Sequence, residues 1–215
     1  MKKCCTIGFT FFLVVLCNQL LADSRGSPRP RGFSSDQPPL PERPAYCAEI
    51  YPSESALNPT DKPMCYFYRA TRSRPKYELD AKLVWSSKLI NMPEYVLIPR
   101  DGKAMVSVDN YWAHGYGKCL VFYDDKGTVL KSYEIGDFFT DEEIEALPQS
   151  VSNREWISEN SFWFWDNDQV LSVFLSSPKN GETKEFYFDL RSGELTKKPS
   201  DGENRYRGRI KRIPL

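Results

Sequence analysis

Between residues 95 and 132 the chain alternates short apolar, β-branched runs with polar turn signals. The runs 95–98, 104–108, 118–123 and 128–132 have strand composition, and Asp101-Gly102 and Asp124-Asp125-Lys126-Gly127 have turn composition. The same pattern returns further on. Asp101, Met105–Val108, Asp124 and Leu130 have counterparts in Asp166, Val170–Val173, Asp189 and Leu195, each 65 positions later. A constant offset over four landmarks predicts an internal repeat of one supersecondary unit, at about 95–132 and 160–197. The second copy's strands are expected near 161–165, 170–175, 185–190 and 194–197. Two earlier runs, 64–69 and 77–85, read as strands of a partial unit ahead of the first copy. One stretch has a different period. In 140–147, Thr140 is placed to cap a helix, Glu143 stands at the third helical position and Pro148 ends it, so a short inserted helix is expected.

The chain is therefore expected to be all-β and mainly antiparallel, with two blade-like meanders, N-terminal strands and one inserted helix in a single domain over 45–198. The succession of Asp101-Gly102, Asp109-Asn110 and Tyr123-Asp124-Asp125-Lys126-Gly127 resembles blades of β-propellers of the NHL or YVTN type, as found in uncharacterised exported bacterial proteins. That resemblance covers about 95–196 and implies blade-like sheets packed on one another. Closed propellers use four or more blades, and a helix here stands where propellers use a short link. An incomplete propeller or a two-layer arrangement is expected, its edges covered by the N-terminal strands, the helix or another subunit.

The first 22 residues have the layout of a secretory signal: Lys2-Lys3, an apolar run from Ile7 to Leu16, and Ala22 at the cut. This predicts a secreted or periplasmic protein. A retained leader, or a lipid on Cys17, is the route by which the protein would touch a membrane. Residues 23–44 contain six prolines and read as a disordered linker, and 199–215 read as a mobile basic tail. Without the leader the chain has 27 basic and 29 acidic residues, a balance with no general attraction for nucleic acid. Cys47, Cys65 and Cys119 then remain. Cys119 lies in a strand pattern, so an oxidising compartment predicts a Cys47–Cys65 disulfide.

His114 is the only histidine. As a base it would need an aspartate to orient it and Cys119 or a serine as nucleophile, the parts of a hydrolase, but no nucleophile-elbow motif occurs. One histidine and three cysteines predict no zinc site, and Asp166-Asn167-Asp168 fits turn chemistry better than a calcium loop. No cofactor is expected. The connection 109–117 carries Tyr111, Trp112, His114 and Tyr116, whereas the matching 176–182 carries no ring. These four are the candidate binding residues, for a protein or carbohydrate partner outside the cytoplasm. The expectation is an exported, non-enzymatic binding module. The alternatives are an exported hydrolase using His114 and a structural envelope protein held by its leader or a lipid.

Overall fold

In the computed structural model the described residues are 31–34, 45–52, 62–71, 80–111, 113–150, 153–157, 161–165, 168–179, 181–200, 205–207 and 211–213. They form three open antiparallel sheets. The first contains β1 (Arg31–Ser34), β2 (Ala45–Tyr51), β3 (Met64–Thr71) and β4 (Asp80–Lys88). The second is the meander β5 (Tyr95–Leu97), β6 (Ala104–Val108), β7 (Lys118–Asp124) and β8 (Val129–Glu134). The third contains β9 (Phe162–Trp165), β10 (Val170–Ser176), β11 (Thr183–Asp189) and β12 (Arg205–Arg207), in the order β11-β10-β9-β12. A last strand, β13 (Lys211–Ile213), returns to the first sheet, which runs β13-β1-β2-β3-β4.

The second sheet lies between the other two, because its side chains alternate between two cores. Ala104, Val106, Val108, Leu120 and Phe122 pack with Phe162, Phe164, Leu171, Val173 and Phe188 of the third sheet. Met105, Val121 and Tyr123, from the opposite face, pack with Ala48, Ile50, Phe67 and Trp85 of the first. All five residues of β6 are buried as a result, Ser107 included. The arrangement is three layers, not two, and no sheet closes into a ring among the described residues.

The stacking has one sense throughout. β7 and β11 lie 65 positions apart, and each ends in an aspartate that caps its own turn. Asp124 Oδ1 accepts from Lys126 N and Thr128 N, and Asp189 Oδ1 accepts from Arg191 N and Ser192 N. Gly127 and Gly193 complete these turns at φ +78 and +73, where a side chain would also collide with the preceding sheet. At Gly127 the obstacles are Trp85 and Ser87, and at Gly193 they are Lys131 and Phe122. The ladders agree. Met105, opposite Tyr123, faces the first sheet as Leu171, opposite Phe188, faces the second. Val106 and Leu171 are both buried, but the structural counterpart of Leu171 is thus Met105, 66 positions earlier. The shorter connection after β10 absorbs the one-residue difference.

The inserted helix, α1 (Asp141–Ala146), has its capping box: Glu143 N donates to Thr140 Oγ1 and Thr140 N to Glu143 Oε2. Several expectations need correction. The second copy's last strand, expected at 194–197, reduces to one bridge between Leu195 and Phe188. The stretches expected as linker and tail supply β1, β12 and β13. The remainder of 23–44 and of 201–215 lies outside the described residues, as does the leader.

The Cys47–Cys65 disulfide is not formed, and Cys47, Cys65 and Cys119 are free thiols. On the β2–β3 ladder Cys47 stands opposite Tyr68 and Cys65 opposite Ile50, three steps and about 10 Å apart. An odd number of steps puts them on opposite faces, with Cys65 in the core. Alkylation in denaturant without reductant, followed by peptide mapping, should therefore label all three. An unlabelled Cys47–Cys65 pair would refute this register.

Candidate functional site

The connection between β6 and β7 folds around one carboxylate. Asp109 follows β6 at φ +63, a left-handed conformation that aspartate tolerates better than most residues, and its side chain is buried. Asp109 Oδ1 accepts from Asn110 N at 2.8 Å and Gly115 N at 2.7 Å, and Oδ2 accepts from Trp156 Nε1 at 2.9 Å. His114 Nδ1 lies 3.2 Å from the same Oδ2. On the other edge of the imidazole, Nε2 faces Glu94 Oε2 at 3.6 Å. Glu94 is also buried, at the turn before β5. The Asp109 carboxyl is raised above its usual range by burial. The neighbouring imidazole and the donors Gly115, Asn110 and Trp156 oppose that shift.

The segment after α1 closes over this loop. Arg154 N donates to His114 O at 3.0 Å, and the Trp156 ring stacks on Phe138 inside the core. His114 thus joins two buried carboxylates at the seam between the second sheet and the chain that leads to the third. The other candidates separate. Tyr111 is half-buried against the core shared with the first sheet, and its N–H donates to Met92 O. Tyr116 is half-exposed, with the Arg154 guanidinium 4.1 Å over its ring and its hydroxyl 3.4 Å from Ser150 O. Trp112 lies outside the described residues.

A hydrolase would need a nucleophile at His114 Nε2, the edge that faces Glu94. His114 Nε2 makes no hydrogen bond among the described residues. Cys119 is buried, directs its thiol at Tyr133 O at 3.4 Å, and is pushed well above the ordinary thiol range by burial and then by Asp109. The orienting half of a triad is present, and Cys119 does not supply the other half.

Sequence reasoning named Asp109 only as a turn residue of the candidate loop, and missed Glu94 and Trp156. Only the position of Asp109 at a strand end hinted at its role, and nothing local pairs it with Trp156, which is 47 residues away. Asp168, considered above for cation binding, serves as a latch. Its Oδ2 accepts from Asp101 N at 2.8 Å and its Oδ1 from the Tyr206 hydroxyl, tying β12 to the second sheet. Arg100 lies 3.5 Å over the Tyr206 ring and extends that latch. No group of three metal-ligating side chains occurs among the described residues. The chain matches no protein-family model, and neither curated proteins nor solved structures provide a relative.

Two expected outcomes follow from these contacts. Asp109→Asn keeps the size and the tolerance for φ +63 but removes the charge and turns an NH2 toward donors. It should cost about 1.5–3 kcal/mol in urea unfolding, the range for hydrogen bonds to a charged group. A loss under about 0.5 kcal/mol would remove Asp109 as the hub. The second concerns Glu143, which joins α1 to the third sheet by accepting from Lys184 Nζ at 2.6 Å and Ser177 Oγ at 3.1 Å. Lys184, then the Thr140 N–H and Ser177, hold its carboxyl below the usual range. A lowered folded value means stability that is present above the unfolded carboxyl's pKa, about 4.3, and lost as pH falls through the folded one. Glu143→Gln should therefore flatten the acid limb of the stability–pH curve, and an unchanged limb would contradict the assignment.

Proposed function

We propose that this protein is an exported, non-enzymatic interaction module built from two copies of one blade-like unit, holding a protein or carbohydrate partner on the rim of the connection 109–117. The observation that carries this reading is the division of labour within that connection. Asp109 and His114 are taken up by internal contacts, while Tyr116 and Arg154 stack with each other half-exposed at the surface. A planar ring beside a guanidinium offers an apolar face with fixed donors at its edge, which suits a sugar ring or a peptide side chain. The leader supports export, and the shared aspartate turns support duplication of the unit. The hydrolase alternative keeps one observation in its favour, the Asp109–His114 contact at 3.2 Å.

Protein and polysaccharide fractions from the envelope of the producing cells, immobilised separately, provide the test. The purified protein should be retained by one of them. Tyr116→Ala and Arg154→Ala should each abolish retention while the melting temperature stays within about 2 °C, as expected for a surface change. Undiminished retention of both variants would displace the rim as the binding surface. Hydrolysis of ester, peptide or glycoside substrates by the wild type that disappears in His114→Gln would replace the proposal with the enzyme reading.

A further inference from the structure

His114 stands between acceptors on both sides. Asp109 Oδ2 lies 3.2 Å from Nδ1 and Glu94 Oε2 lies 3.6 Å from Nε2. Both carboxylates are buried, and only 16% of the histidine side chain is exposed. The Asn110 and Gly115 amides and the Trp156 indole all donate to Asp109, so its ionised form is the one they fit. A neutral imidazole has one N–H and one bare nitrogen. Donating to Asp109 from Nδ1, it would turn a bare, buried Nε2 toward a second carboxylate. The imidazolium has a donor for each side. The other charged and titratable groups around this loop are engaged elsewhere. Lys118 pairs with Glu134 at 2.8 Å, the Arg154 guanidinium lies over Tyr116, and the Cys119 thiol is directed at Tyr133 O.

The same histidine carries the seam. Its carbonyl accepts from Arg154 N, it pairs with Asn153 in a single parallel bridge, and a β-carbon on Gly115 would stand 2.8 Å from Arg154 Cβ. We propose that the seam between the connection 109–117 and the segment 153–156 is a proton-operated joint. The His114 imidazolium bridges Asp109 and Glu94 and closes it, and loss of the Nε2 proton to water loosens it. A contact that only the charged ring completes stabilises the closed joint on the acid side and is lost as pH rises through the ring's own titration. The inference stands on the joint alone, whether or not the rim at Tyr116 holds a partner.

Amide hydrogen exchange followed by NMR tests this on the intact protein. His114 is the only histidine, so its ring resonance identifies itself without a variant. Exchange is measured over the pH range that carries that resonance from its charged to its neutral position. Protection of the Gly115 and Arg154 amides, corrected for the intrinsic pH dependence of exchange, should fall by about tenfold or more, the scale of a charge-assisted hydrogen bond. The fall should share the midpoint of the ring resonance, while protection in β6 and β7 stays level. In Glu94→Gln the ring has one carboxylate left to meet, and the step in protection should largely disappear. A merely structural Glu94 would instead lower protection at every pH and leave the step in place. A ring that never becomes charged in the folded protein, a step at another midpoint, level protection across the ring titration, or an undiminished step in Glu94→Gln would overturn the joint.

Discussion

Burial of the second sheet on both faces is the constraint on which the rest of the structure depends. A half-buried antiparallel strand needs one apolar face, and β6 has two, so its sheet is stable only between neighbours. The opposite parities of β6 and β7 belong to different cores, and the first and third sheets are the walls of those cores. A shift of register by one residue would exchange the two sets and place Tyr123 and Met105 against the wrong sheet. The turn glycines serve the same end. Gly127 and Gly193 let each aspartate turn settle onto the sheet before it, where a β-carbon would strike side chains.

Polar contacts then fix how the layers are joined along the chain. Asp109 gathers donors from its own loop and from Trp156, so the chain beyond α1 is held where it must start the third sheet. Glu143, with Lys184 and Ser177, holds α1 against β10 and β11. Asp168 and Tyr206 bring β12 to the edge of β9. Each is a buried or half-buried carboxylate with several donors, the condition under which such a group holds structure together. His114 belongs to this set by geometry. Its place between Asp109 and Glu94 accounts for a lone histidine in an aromatic loop without requiring a reaction.

The outward faces of the terminal sheets contrast with these joints. The first sheet's outward face carries Glu49, Tyr66 and Tyr68 beside the exposed Leu83, and the third sheet's carries Trp163 and Phe174 beside Arg205. The inner cores combine Val, Leu, Phe and Met with Trp85, Tyr123, Tyr133 and Trp156.

Strand composition, turn chemistry and the capping box are local properties, and the sequence determined them by itself. Residues 104–108 are β6 as read, α1 starts after Thr140, and β7 and β11 keep the offset of 65. Most of the candidate loop was legible too, as a Gly-flanked aromatic connection. Tertiary structure decided what each face meets. Alternation shows that Met105 and Val106 point apart, but not that both directions are buried, nor that the partner of Leu171 is Met105. Cys47 and Cys65 are plausible partners by spacing, and only the ladder shows them on opposite faces. The strands β1, β12 and β13 are short and charged or glycine-containing, with little propensity of their own. They exist because a sheet edge offers them a ladder, and pairing across distant sequence leaves no local mark. The same reason hid Trp156 behind Asp109: a hydrogen bond between residues 47 apart depends on where two layers meet.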